Sequence, residues 1–170
     1  MLVNLDNKCI ILKRIISIQF ISQTKQNFYF MKTNWLAILV CVILGMAMGF
    51  IWYGALFQNQ WMSGNGITMT GDQMFKNGVA MEMSMTPMIF NTVAMIIYAL
   101  LMNWLVQNTG STNLMSGLTV GAVIGLLHLL GIITGNMFAG NPMSLSLVDG
   151  SYTFALFAVM GAILGAWQKK

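Results

Sequence analysis

The chain has 170 residues, of which 57% are hydrophobic and 7% charged, and its formal net charge is +4. An ordinary soluble protein is roughly 25% charged, and eight Lys and Arg with four Asp and Glu cannot supply a polar shell. The composition excludes a soluble enzyme, a nucleic-acid-binding domain and a disordered tail, and it makes the lipid bilayer the expected solvent of a single domain.

The opening residues, 1–30, are apolar but interrupted by Lys13, Arg14 and Gln19. They are too broken to span a bilayer and lack the small-residue cleavage pattern of a signal peptide. They read as an extension outside the natural product, a basic interfacial segment being the alternative, and Met31-Lys32 then opens a domain over 31–170. The first span is predicted at 35–57. It carries no charge, and at about 1.5 Å per residue it outreaches a hydrocarbon core of about 30 Å. Beyond it, Thr70-Gly71-Asp72-Gln73 matches a capping box and predicts a short helix, while Gly78 and Pro87 argue against one continuous rod. The remaining spans are predicted at 87–106, 115–138 and 147–167. Spans two and three are joined by a neutral Asn-Thr-Gly-Ser-Thr-Asn turn. The expected fold class is an all-α membrane protein, a four-transmembrane-helix bundle with short loops.

Charge then predicts direction. Lys8, Lys13, Arg14, Lys25 and Lys32 precede span one, Lys169 and Lys170 follow span four, and Lys76 alone lies in the loops of the other side. The Lys and Arg bias puts both termini in the cytoplasm. Trp35, Trp52, Tyr53, Trp61, Trp104 and Trp167 cluster near span ends, as interfacial anchors do.

Two stretches are distinctive: Thr33-Asn34-Trp35-Leu36-Ala37-Ile38-Leu39-Val40, with Gly49-Phe50-Ile51-Trp52-Tyr53-Gly54-Ala55-Leu56-Phe57 and Trp61, and the ending Leu147-Val148-Asp149-Gly150-Ser151-Tyr152 with Met160-Gly161-Ala162-Ile163-Leu164-Gly165-Ala166-Trp167. Together they resemble the bacterial membrane family catalogued as domain of unknown function 1761, over about residues 33–168. Ala55 departs from the Pro that family often shows after Trp-Tyr-Gly. The resemblance implies a small multi-span protein of the bacterial inner membrane and no assigned activity, so it transfers no catalytic residues.

Small residues mark the expected helix contacts. On span three Gly117, Gly121, Gly125, Gly131 and Gly135 share an arc with His128 near its middle. Span one offers Ala37, Cys41, Gly45 and Gly49, and span four offers Ser151, Ala155, Ala158, Ala162 and Gly165, with Gly161 alongside. Such faces let helix backbones approach in a membrane.

The polar candidates are few. His128, the sole histidine, is expected at bilayer depth, where an ionisable group is a functional hypothesis by default. It is read either as a proton relay or ligand, or as a neutral imidazole hydrogen-bonded to Asn91, Tyr98 or a backbone carbonyl. Span two sets Met88, Asn91, Met95, Tyr98 and Met102 on one face. Asp149 is read as a carboxylate near the start of span four, favoured there by the helix dipole, with a substrate or ion contact as the alternative. Met81, Met83, Met85 and Met88 form a thioether run that would suit Cu(I), though Met also serves as flexible packing. Cys9 and Cys41 make neither a disulfide framework nor a metal cluster. A Ser–His dyad of His128 with Ser116 or Ser151 lacks a nucleophile turn, and no phosphate loop or metalloprotease spacing occurs.

No cofactor and no enzymatic activity are expected. The expected function is non-catalytic: a self-associating protein or an accessory subunit of a larger membrane complex, with no nucleic-acid partner. The alternative is a small-solute or metal-ion carrier, copper among the ions, using His128 and the Met-rich external segment.

Overall fold

A computed structural model of the chain describes Arg14 and residues 33–82 and 84–168. The expectations placed on residues 1–30 (Arg14 apart), Lys32, Met83, Lys169 and Lys170 lie outside the described residues. The chain divides into two units, Met1–Lys32 and Thr33–Lys170, and the helices described below belong to the second.

Helix α1, Trp35–Ile51, starts where the Asn34 side chain accepts from the Ala37 N–H at 3.4 Å. It runs into one π-helical turn, Trp52–Leu56, and then a short α2, Gln58–Gly64. A three-stranded antiparallel sheet follows: β1 Ile67–Thr70, β2 Gln73–Lys76 and β3 Val79–Ala80. The remaining helices are α3 Thr86–Asn108, α4 Leu114–Phe138 and α5 Met143–Ala166. Four stretches, Trp35–Leu56, Thr86–Asn108, Leu114–Phe138 and Met143–Ala166, are long and apolar enough to cross a membrane. Their outward side chains include Phe50, Phe90, Leu127 and Phe138, a surface that fits lipid far better than water.

The sheet corrects two expectations. The first connection is not short, and Thr70-Gly71-Asp72-Gln73 is no helix start but the turn of the β1–β2 hairpin, with Thr70 paired to Gln73. Gly71 takes φ +60°, which a two-residue hairpin with glycine first requires. The second hairpin closes on Asn77 (φ 52°) and Gly78 (φ 81°), both left-handed, between the pair Lys76 and Val79. Alternation of Thr with apolar residues in 67–70 then outweighs the capping-box pattern.

Span four also starts earlier than predicted, at Met143. Gly140 at φ +71° ends the preceding turn, and Pro142 caps the helix in an extended conformation. Ser144 and Ser146 dilute the apolar signal of this first turn, although Ser146 is buried. The α3–α4 turn is tight: Gly110 adopts φ +66°, and Asn113 and Ser116 cap α4 reciprocally at 2.9 and 3.4 Å.

The core lies where α1, α3 and α5 meet, around Ala37, Cys41, Met95, Ala99, Met102, Leu156, Met160 and Leu164. Against this group α4 packs on α5 and scarcely touches α3. The α4–α5 seam is made of glycine. A Cβ on Gly121 would stand 2.8 Å from the Phe157 carbonyl carbon, one on Gly125 2.8 Å from Phe154 Cα, and one on Gly117 2.8 Å from Gly165 Cα. Gly161 and Gly165 fill the other side of the seam. Gly131 and Gly135 differ from the expectation: nothing lies within 4 Å of a Cβ on either. The contact instead moves to Leu129, whose side chain would stand 3.1 Å from a Cβ on Gly150. The two helices cross rather than run parallel, so the line of contact leaves the glycine face beyond Gly125.

Candidate functional site

Where α4 parts from the rest of the unit, a cavity of about 430 Å³ opens. Its walls come from four elements: Tyr53 of the π-turn, Asn91, Met95 and Tyr98 of α3, His128, Ile132, Gly135 and Asn136 of α4, and Asp149, Tyr152, Thr153, Leu156 and Phe157 of α5. The four polar residues singled out from the sequence, His128, Asn91, Tyr98 and Asp149, thus border one space. Gly135 borders it too, so part of the predicted glycine face lines a void instead of touching a helix.

Asp149 stands on the wall of α5, well past the first turn, because the helix starts at Met143. It is therefore not the helix-terminal carboxylate expected from the sequence, and the helix dipole does not explain it. Its side chain borders the cavity beside that of Tyr53. The π-turn makes that placement available. A single wide turn brings consecutive residues Trp52 and Tyr53 to the same neighbour: the Trp52 Nε1–H donates to the Val148 carbonyl at 3.1 Å, beside Asp149. Trp52 and Tyr53, expected as interfacial anchors, are thus turned inward, while Trp35 and Trp104 remain exposed.

Tyr152 is buried and donates its hydroxyl to the Gly45 carbonyl at 3.3 Å. A Cβ on Gly49 would stand 3.0 Å from that hydroxyl, and one on Gly45 3.1 Å from the Leu156 side chain. The glycines of α1 therefore make room for the α5 residues behind the cavity wall. Around them the rings interlock: Tyr53 meets Tyr152 edge-on at 5.0 Å, and Tyr98 meets Phe157 edge-on at 5.3 Å.

His128 is exposed on the open side of the cavity. Its ring lies 5.1 Å from Phe157 and 6.2 Å, edge-on, from Tyr98. The link between α3 and α4 is thus a ring contact rather than the expected hydrogen bond. Asn91 directs its amide elsewhere, donating to Met46 Sδ at 3.3 Å.

The methionine run is spread along the entry to α3. Met81 continues the sheet, its N–H donating to the Met74 carbonyl at 2.8 Å, Met85 caps α3, and Met88 lies exposed in the first turn. Neither Met81, Met85 nor Met88 borders the cavity, and among the described residues no group of three or more His, Cys, Asp or Glu could hold a metal ion.

Phe157, Asn136 and Thr153 belong to the site without any motif of their own. A weak signal exists in the spacing Asp149, Tyr152, Thr153, Leu156, Phe157, which sets all five on one helical face.

A family model described as "Protein of unknown function (DUF1761)" matches residues 36–165. No curated protein and no solved structure matches the chain.

Proposed function

The chain belongs to the DUF1761 family, and we propose that it is a multi-pass protein of the bacterial inner membrane, with four spanning helices and both termini cytoplasmic, that takes up a small polar solute in the cavity between α3, α4 and α5. The supporting observation is the convergence of Asp149, His128, Asn91 and Tyr98 on one space in an otherwise apolar set of helices. Polar groups at membrane depth are costly and concentrate along substrate and ion paths. With both termini inside, the cavity faces the same side as the sheet and the 139–142 turn, which is the outside.

The role proposed is non-catalytic uptake, with phenols, amides, a thioether and the Thr153 hydroxyl lining the wall beside Asp149 and His128. The alternative of a self-associating protein or accessory subunit draws less support. Its motive was small-residue packing, and Gly117, Gly121, Gly125, Gly161 and Gly165 are all engaged within the chain. Copper as cargo draws on the Met run, which lies apart from the cavity.

The test is single-cysteine labelling of intact cells in a Cys9→Ser, Cys41→Ser background, using a membrane-impermeant maleimide. Asn136→Cys and Asp72→Cys should label from outside, and Thr112→Cys, exposed in the α3–α4 turn, only after permeabilisation. An Asn136→Cys that resists reagent from both sides would defeat the solute reading, and same-side labelling of Asp72→Cys and Thr112→Cys would defeat the topology. Purification with a stoichiometric protein partner would favour the subunit role, whereas bound copper lost on Met85→Leu would favour a metal-ion carrier.

A further inference from the structure

We infer that the solute class taken by this cavity is an organic ammonium cation, held by the Asp149 carboxylate within a wall of aromatic rings. The inference rests on the solute-binding reading above and deepens it.

The first argument is charge. Between Lys76 and Lys169 the sequence contains no Lys or Arg, and Asp149 is the one acidic residue between Glu82 and the end of the chain. The carboxylate borders the cavity, as does the neutral Tyr53 phenol. A carboxylate in such surroundings is retained at a cost of several kcal/mol unless a positive charge or a proton compensates it. No Lys or Arg of helices α3 to α5 can do so, because those helices have none.

The second argument is the wall. Tyr53, Tyr98, Tyr152 and Phe157 all border the space, joined by ring contacts at 5.0 Å between Tyr53 and Tyr152 and at 5.3 Å between Tyr98 and Phe157. Aromatic rings attract cations through their quadrupole, and clusters of them recognise alkylated ammonium groups. A metal cation fits the same walls poorly. Sodium, magnesium and calcium seek several oxygen ligands; the cavity has one carboxylate, and of its other oxygens Asn136 Oδ1 already accepts from Asn141 while the Thr153 hydroxyl is turned to the Asp149 and Gly150 carbonyls.

The third argument is size. At about 430 Å³ the space is at the scale of small-molecule sites and far larger than a bare ion needs. A compact cation carrying methyl or methylene groups uses the rings and the carboxylate together, and an anion uses neither well.

The test uses the purified full chain in lipid nanodiscs, titrated with tetramethylammonium, choline and phenyltrimethylammonium, and read by the fluorescence of Trp52 beside Asp149 and by calorimetry. The neutral comparison is 3,3-dimethylbutanol, the carbon isostere of choline. At least one of the three cations should bind, and choline should bind about tenfold or more tightly than its isostere. Asp149→Asn, which keeps the side-chain volume, should weaken the cation about tenfold without lowering thermal stability. Tyr98→Leu should weaken the cation more than the isostere. Three outcomes would overturn the inference: no binding of any of the three cations at about 50 mM, equal binding of choline and isostere, or full cation affinity in Asp149→Asn. Each leaves the solute reading standing provided that Asn136→Cys labels from outside, whereas failure of that labelling removes both.

Discussion

The α4–α5 seam offers the sharpest quantitative test, because its glycines divide into two groups that the sequence does not distinguish. Consider alanine at Gly121. The added carbon would stand 2.8 Å from the Phe157 carbonyl carbon and 3.0 Å from Ala158 Cα, against about 3.5–4.0 Å for a comfortable carbon contact. These neighbours are backbone and cannot rotate aside, so the helices must separate by about 0.5–1 Å. Overpacking costs about 1–3 kcal/mol, and rigid neighbours put this site near the upper end. Helix propensity returns about 1 kcal/mol, leaving a net loss of about 2 kcal/mol. Gly131→Ala meets nothing within 4 Å and should be neutral or gain up to about 1 kcal/mol. The predicted quantity is the difference between the two variants, about 2–3 kcal/mol. It can be measured by reversible unfolding in mixed micelles with rising SDS fraction, followed by helical circular dichroism. Equal stabilities, or a greater loss at Gly131, would refute the close backbone approach at Gly121.

Two further substitutions test other parts of the unit. Asn103 is buried with its Nδ2 unpartnered, and its Oδ1 accepts only at 3.4 Å from Gln107 and 3.5 Å from Gln168. Asn103→Leu should therefore leave unfolding within about 1 kcal/mol of wild type or raise it, since an unmet amide costs about 1–3 kcal/mol; a large loss would show that these contacts carry more than their lengths suggest. Trp52→Phe removes the bond to the Val148 carbonyl and should cost about 1 kcal/mol. Trp52→Phe should also open the cavity wall to proteolysis or labelling at Tyr53→Cys, and unchanged accessibility there would separate the π-turn from the site.

The spans were legible because charge-free apolar runs of about 20 residues have few alternatives, and Leu114–Phe138 and Thr86–Asn108 start or end within two residues of the predicted limits. The sheet was harder to see. Its strands are two to four residues long, below the length at which alternation separates from chance, and Gly78, which argues from the sequence only against a continuous rod, forms a hairpin turn with Asn77. Asp149 was misplaced for a related reason. Two serines in the first turn of α5 disguised its start, so a residue on the cavity wall looked like a helix-terminal carboxylate. For His128 the face was legible and the partner was not. Helical spacing puts it with Gly117, Gly121 and Gly135, but the crossing of α4 and α5 decides which of these meet backbone and which border the cavity.

That crossing also places the polar space. At Gly117, Gly121 and Gly125 the α4 and α5 backbones touch, and Leu129 keeps the contact with Gly150. The cavity therefore lies beside the seam rather than in it, bordered on α4 by His128, Ile132, Gly135 and Asn136, and it is open because α4 scarcely touches α3. This arrangement keeps the seam and the cavity on different faces of α4. It also separates the two roles physically: substitutions at Gly117 to Gly125 act on stability through backbone contact, whereas those at Asp149, Tyr98 and His128 change the chemistry of a space already empty.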